Sequence, residues 1–373
     1  MSNKNKFSWT GESKEWLEGS TDEEMKQFVS QNGLQLESVS RFRRKLRAKK
    51  KDPNTDLGEL KAFIRKGRVS VTEIANHFKV CPEEALGLIQ KLQEGHTLLE
   101  VVNDTVCISK DIAPSGEPFV IDFRKHVEKV TPIGCIADTH IGSKYERLDA
   151  LNNFYDRCVE AGVTQVYLAG NIIEGESRFN KFDIYVSGFQ AQVDNFIEKF
   201  PQRDGITTYF ITGDDHEGWY VQRENINVGE IIELKARESG RKDLVYVGHV
   251  ERDIEFVQDK GSSTFRVIHA GGGSSYAWSY TSQKYTEMLA GGEKPSFILV
   301  GHYHKFDWSY PREVHVLQPG SFKSQDTWMR KKKLQSIVGG CIVWLRQCDL
   351  GTFTSVKVEF FPYYDVAFYE HKW

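Results

Sequence analysis

From residue 131 onward the apolar positions fall into short runs, 131–136, 163–170, 206–212, 265–268 and 297–300, each broken off by glycine, asparagine, aspartate or histidine. Runs this brief and this apolar predict buried strands, as in a parallel sheet. Between them Leu148, Leu151, Phe154, Tyr155 and Cys158 recur at helical spacing, predicting an amphipathic helix that ends near Gly162. Helices are likewise expected within 182–200 and 228–236. Strand and helix in alternation imply parallel pairing. Farther on, 314–317, 337–345 and 356–361 are strand-like with few helices between them. The expectation for 131–373 is an α/β domain of two packed sheets flanked by helices.

The N-terminal part is patterned differently. Thr21 precedes Asp22, Glu23 and Glu24, an N-cap with acids at the positive end of a helix that has Met25, Phe28 and Val29 on one face. Asn32-Gly33 makes a turn, and Leu34, Leu36 and Val39 lead into a second helix with Phe42 and Leu46 at i and i+4. Over 1–52 this is the outline of a helix-turn-helix whose second helix lies in the major groove of DNA. That helix carries Arg41, Arg43, Arg44, Lys45 and Arg47, with Lys49, Lys50 and Lys51 after it and no acid among them. Such cations would neutralise phosphates, although a basic run is also the composition of an ordinary solvated face. A turn-rich break at 52–55 reads as a linker.

Over 53–110, helices are expected at 57–64, 70–78 and 82–92, and alternating stretches flank Asn103-Asp104 as in a hairpin. Three helices and a hairpin predict a winged helix. Its third helix has Glu83 and Glu84 against Lys91 alone, so contact with DNA and contact with protein are both open. Residues 111–130, with Pro114, Gly116 and Pro118, form a linker whose extended part is able to join a sheet edge.

The chemistry lies where the strands stop. One run ends in Asp138-Thr139-His140, the next in Gly170-Asn171, another in Asp214-Asp215-His216-Glu217, and the last two in His269 and in His302-Tyr303-His304. Ligands of α/β proteins bind beyond the carboxyl ends of strands, so carboxylates and imidazoles repeated there predict a metal site. Glu174 and Glu217, a few residues past presumed ligands, are able to add an oxygen or to lie behind the site as supporting or solvated carboxylates, and Asp214 reads as pointing to the other face. The glycine run 271–273 allows close approach to a phosphate, and Trp219, Tyr220, Tyr276, Trp278 and Tyr280 are either stacking platforms for bases or packing residues.

DTH at 138–140, GNIIE at 170–174, GDDHE at 213–217, HAGG at 269–272 and GHYH at 301–304 resemble, in that order, the five signatures of the calcineurin-like metallophosphoesterases, the superfamily that includes the Mre11/SbcD nucleases. The resemblance covers roughly 131–345, and the arrangement with N-terminal modules is also similar to metallophosphoesterases of phages and prophages. It implies a two-sheet αββα sandwich, preceded here by small, mostly α-helical modules, and two divalent ions, manganese foremost, with magnesium, zinc or iron(II) as alternatives. One ion would be held by Asp138, His140 and His304, the other by Asp215, His269 and His302, with Asn171 between. His216 would stabilise or protonate the leaving oxygen, oriented by Asp138, while a metal-activated hydroxide attacks phosphorus. The chain departs from the family at two corners. Asn171 stands where a bridging aspartate is usual, and Asp215 where an asparagine is usual. The exchange keeps the number of carboxylates constant and reads as a compensated site; the rival reading is a fold that binds without cutting.

Composition narrows the class without changing it. The 373 residues exceed one core and carry a formal charge of −3, but residues 1–110 hold 19 Lys+Arg against 16 Asp+Glu, so the basic arm precedes an acidic remainder. No apolar run is long enough to span a bilayer and the N-terminus has no signal-peptide core. The six cysteines show no CxxC pairing and read as reduced residues of a cytoplasmic protein. The expected function is a DNA nuclease targeted by its N-terminal modules, with DNA as partner, a second copy or an ATPase as further partners, and no membrane. A phosphatase acting on small molecules or proteins, and a non-catalytic DNA-binding protein, are the alternatives.

Overall fold

The computed structural model describes residues 10, 13–14, 16–17, 20–47, 53–109, 112, 116–273 and 277–364, and only the backbone of 44–47 and 53–56. Lys49, Lys50, Lys51 and Tyr276 lie outside the described residues, as do the side chains of Arg44, Lys45 and Arg47. The chain divides into two units, one of residues up to 95 with 100–108, the other of 96–99 with everything from 109.

In the first unit, α1 (Asp22–Gln31) begins at a reciprocal cap: Thr21 Oγ1 accepts the Glu24 N–H, and the Glu24 carboxylate accepts the Thr21 N–H at 2.7 Å. Val39 and Phe42 of α2 (Leu36–Arg47) pack on Leu17, Met25 and Val29. The same amphipathic geometry turns Arg43 inward. It is buried, donating to Asp22 Oδ1 at 2.7 Å and to the Ser20 carbonyl. Arg43 therefore ties the helix pair together and leaves the phosphate-facing set, whereas Arg41 is exposed.

Of the break expected at 52–55, residues 53–55 are instead the first turn of α3 (Pro53–Ile64), and Asp52 lies outside the described residues. Proline at the first helical position has its φ already set and lacks only an N–H that no helix would use, so a turn-like sequence opens a helix here. It is followed by β1 (Val69–Ser70), α4 (Val71–Phe78), α5 (Pro82–Glu94), β2 (Leu99–Val102) and β3 (Thr105–Ile108). Their small sheet has the order β1-β3-β2. Leu60, Ile64, Ile74, Ala85, Ile89 and Val106 are among the buried apolar residues of these elements.

The second unit is a sandwich of two six-stranded sheets. It comprises β4 (Phe119–Asp122), β5 (Val130–Ile136), α6 (Leu148–Glu160), β6 (Gln165–Ala169), α7 (Phe189–Lys199), β7 (Thr207–Thr212), α8 (Gly218–Glu224), α9 (Val228–Glu238) and β8 (Leu244–His249). There follow β9 (Glu251–Val257), β10 (Ser262–His269), α10 (Tyr280–Met288), β11 (Phe297–Gly301), β12 (Phe306–Ser309), β13 (His315–Pro319), α11 (Thr327–Lys332), β14 (Gly339–Gln347) and β15 (Phe353–Pro362). One sheet runs β15-β14-β5-β6-β7-β8, the other β12-β13-β11-β10-β9-β4. β5 to β8 are mutually parallel, as are β10, β11 and β13. The extended part of the connection, β4, completes an edge by pairing parallel with β9. β9 has the sequence ERDIEFV; its charged alternation hid it from a search for apolar runs.

Alternation along β5 explains the layers. Ile133, Cys135 and Ala137 join Tyr167, Phe256, Phe265, Phe297 and Val343 in the core between the sheets. Ile136 instead faces the helix layer of Phe154, Tyr155, Phe196 and Ile232. On the far face of the second sheet, Ile268, Ile298 and Val316 pack with Tyr285 of α10. The order helix, sheet, sheet, helix is the αββα architecture expected. All six cysteines are free, and among the described residues no helix is long and apolar enough to cross a membrane.

Candidate metal centre

Each candidate ligand sits at or just past a strand end. β5 leads into Asp138 and His140, β6 into Asn171, β7 into Asp215 and His216, β10 ends on His269, and β11 leads into His302 and His304. Asp138, His140, Asn171, His216, His302 and His304 adopt φ between 48° and 89°. Non-glycine residues avoid this left-handed region at a cost of roughly 1–2 kcal/mol each, so the surrounding loops must hold them there. The Asp138 N–H donates to the Gly170 carbonyl at 3.1 Å, the His140 N–H to Asn171 at 2.9 Å and the Glu174 N–H to Ile141 at 2.9 Å. Close approach explains two of the glycines. A Cβ on Gly170 would lie 2.4 Å from His269 Nδ1, and one on Gly213 2.7 Å from Asn171 Oδ1.

Three groups of possible ligand atoms result among the described residues: Asp138 with His140 and His304, Asp215 with His269 and His302, and His140 with Glu174 and His216. In the first, His140 Nε2 lies 3.1 Å from His304 Nε2, and Asp138 Oδ1 is 3.8 and 3.6 Å from these two nitrogens. In the second, the Asp215 oxygens are 3.2 Å from His269 Nε2 and 3.4 Å from His302 Nδ1. Asn171 lines the same cleft.

The far nitrogen of each ring is engaged behind the site. His140 Nδ1 meets Glu174 Oε2 at 2.9 Å, His269 Nδ1 the Ala169 carbonyl at 2.9 Å, His302 Nε2 the Gly272 carbonyl at 2.8 Å and His304 Nδ1 Ser336 Oγ at 3.2 Å. A carbonyl or carboxylate there takes the N–H and leaves the forward nitrogen its lone pair, the tautomer a metal requires. Asp138 Oδ2 accepts the His302 N–H at 2.8 Å. Asp138 Oδ1, Asn171 Oδ1 and His302 Nδ1 are buried without a hydrogen-bond partner. Each such orphan costs roughly 1–3 kcal/mol, and a divalent cation is the species that these convergent lone pairs would satisfy.

The electrostatics differ between the first two groups. Burial, reinforced by the Lys323 ammonium, pushes His140 down to about 3, a neutral ring ready to ligate. Burial also opposes charge on His269, but its bond to Asp215 and the Asp138 and Asp215 carboxylates outweigh it and raise the ring to about 10, so a metal ion would have to displace a proton from Nε2 before that nitrogen could ligate. Burial opposes the Asp138 carboxylate too, yet the His304, His269 and His140 rings bring it down to about 2. The pocket around Asp215 thus favours positive charge.

Glu174 and Glu217 support the site from behind. Glu174 is buried between His140 and Lys323 Nζ, the latter at 3.1 Å; burial raises its carboxyl, but the Lys323 charge leads the effects that hold it well below the usual range. Glu217 accepts the Gly213 and Ile172 N–H groups at 2.8 and 3.3 Å, which locks two ligand loops, and burial lifts it to about 8. Asp214 is exposed. His216 stacks on Trp219, with centroids 4.7 Å apart, and its Nδ1 meets the Glu174 carbonyl oxygen at 2.7 Å. The orienting partner of His216 is that carbonyl rather than Asp138, whose carboxylate is turned toward His302, His304 and His140. Of the proposed stacking residues, Trp219 and Trp278 line the cleft, Tyr220 is core, and Tyr280 is exposed on α10.

Sequence reasoning missed Lys323 and Asp326. They lie in the loop before α11, where Lys323 Nζ is 2.9 Å from Asp326 Oδ2 and Asp326 caps the helix through the Met329 N–H at 2.7 Å. A lysine among polar loop residues carries no sign that it will be buried.

No family model and no curated protein matches the chain. Among solved structures it is similar to Vps29 from Entamoeba histolytica complexed with zinc, at 12% identity over 62% of this chain and 99% of that one, with a TM-score of 0.32. A Streptococcus pneumoniae protein described as a predicted phosphoesterase gives 13% identity over 63% of this chain and 98% of that one, with a TM-score of 0.28. A 5'-nucleotidase precursor from Thermus thermophilus gives 13% over 62% of this chain and 54% of that one, with a TM-score of 0.31. At these values the functional reading rests on the side chains alone.

Proposed function

We propose that the protein is a metal-dependent phosphodiesterase of the calcineurin-like type that cuts DNA. The observation that carries the reading is the pair of facing ligand groups with orphaned buried oxygens on Asp138 and Asn171. Asp138, His140 and His304 would hold one divalent ion and Asp215, His269 and His302 the other, with Asn171 between, and manganese is the first metal to try. When bound, such ions polarise a phosphate and lower the pKa of water beside them. The chain's own contribution is order. The Glu174, Ala169 and Gly272 oxygens keep three imidazoles in the ligating tautomer, and Ser336 holds the fourth. His216, held by the Glu174 carbonyl and facing the cleft, is placed to protonate the leaving alkoxide.

DNA as substrate is supported by the first unit. Its helix pair exposes Arg41, and its helix, strand, two helices and hairpin have the element order of a winged helix. The test is cleavage of labelled single- and double-stranded DNA by the full chain with Mn²⁺, Mg²⁺ or EDTA, beside His302→Ala. Metal-dependent cutting lost in His302→Ala supports the reading; DNA bound but never cut overturns it. That second result favours a binding protein, for which the uncharged Asn171 is the supporting observation. In that case Asn171→Asp is expected to create activity, whereas in a compensated site the single change helps little without Asp215→Asn.

A further inference from the structure

The cleft over the ligand groups encloses about 790 Å³ and is walled by aromatic rings from separate segments. Phe179 follows the Asn171 corner, Trp278 follows His269, and Trp328 stands on α11; they are 72%, 44% and 53% exposed. A single exposed aromatic is ordinary, but three lining one charged cleft make a contiguous apolar surface of the kind that marks a binding site. The segments that carry two of them are also anchored. The Trp278 carbonyl accepts the Gln318 side-chain amide at 3.3 Å. Trp328 is flanked by the Asp326 cap and by buried Met329, and Asp326 is tied through Lys323 to Glu174 and so to His140. The wall that carries Trp328 is thus registered against a candidate ligand. Beyond it Arg330, Lys331, Lys332 and Lys333 form an exposed basic run, with Lys333 lining the cleft.

Metal ligands at the floor, cations at one rim and ring faces on the walls match a phosphodiester strand whose bases are free. In a duplex each base face is covered by its neighbours, and an aromatic wall finds nothing flat to stack on. In an unpaired strand every base offers a face, whatever its identity. We infer that the cleft takes unpaired DNA, with bases beside the scissile phosphate stacked on Trp278, Trp328 and Phe179. This deepens the nuclease reading and rests on it, since the floor must hold a phosphate for the walls to meet its bases.

The test is binding of a short oligothymidylate, of an abasic strand of the same length and of the matching duplex to the full chain with Ca²⁺ in place of Mn²⁺, so that the floor is charged while cutting is slow, followed by tryptophan fluorescence. Trp278→Ala and Trp328→Ala are measured in parallel, with their melting temperatures as a check on folding. The thymidylate is expected to bind more tightly than the abasic strand and to quench fluorescence. Each variant should lose roughly 5- to 150-fold in thymidylate affinity, the span of one base stack, while abasic binding stays as in the wild type. Equal affinity for strands with and without bases, or a duplex that binds as well as the thymidylate, overturns the inference. Cutting of DNA with Mn²⁺ in that case leaves the nuclease reading standing. Failure of every strand to bind or be cut overturns both.

Discussion

Lys323 and Glu174 show how much a single buried pair decides. Both are almost fully buried, 3.1 Å apart, and Glu174 turns its other contact to His140. Removing one partner of such a pair strands the other charge, so Lys323→Met is expected to destabilise the protein by about 3–5 kcal/mol in urea unfolding. Glu174→Gln is milder for the fold but changes what stands behind His140. Mn²⁺ affinity measured by calorimetric titration should fall about 10- to 100-fold, the usual effect of losing such a supporting carboxylate. The two variants separate a charge that holds the loop from a hydrogen bond that aims the ligand.

At the scale of elements, the strand ends and the helix pair each make a claim that can be checked. The β7 corner has no room for a side chain: a Cβ on Gly213 would lie 2.7 Å from both Asn171 Oδ1 and His269 Cδ2. Gly213→Ala must displace one of them, so a stability loss of about 1–3 kcal/mol is expected together with weaker metal binding; normal Mn²⁺ titration of this variant would contradict the proposed floor. On α2, Arg41 and Arg43 are two residues apart and so roughly 200° apart around the helix, one exposed and the other buried. Arg41→Ala should weaken DNA binding and reduce the salt slope by about 1 without altering the melting curve. Arg43→Ala should loosen the α1–α2 pair, read as a lower melting temperature, because its partners are Asp22 and Ser20 rather than solvent.

For the whole molecule, the candidate ligand groups would couple metal binding to folding, because they exist only where two sheets meet. Asp138, Asn171 and Asp215 come from one sheet and His269, His302 and His304 from the other. An ion bound between them stabilises the native sandwich over the unfolded chain. Mn²⁺ at about 100 times its Kd is expected to add about 2.7 kcal/mol to unfolding, and His269→Ala should erase most of that gain. Scanning calorimetry with Mn²⁺ and with EDTA measures both.

Much of this candidate centre is legible in the sequence because strand ends advertise themselves. Brief apolar runs mark buried strands, and Asp138, His140, Asn171, Asp215, His269, His302 and His304 stand at or just past those ends, where a core would not tolerate them. The layered fold followed from the same alternation of strand and helix. What remained hidden was whatever depends on neighbours distant in sequence. Backbone carbonyls at Ala169 and Gly272 set the tautomers of two histidines, and a carbonyl carries no residue identity to read. β9 pairs through a charged alternating stretch, and Pro53 opens a helix where local chemistry reads as a turn. Arg43 and Lys323 are basic residues in polar surroundings along the chain, yet one holds a helix pair and the other holds the carboxylate behind a candidate metal ligand. Local sequence determines which groups are polar and where strands must stop; only packing determines which of those groups lose water, and burial is what turns a charge into a partner.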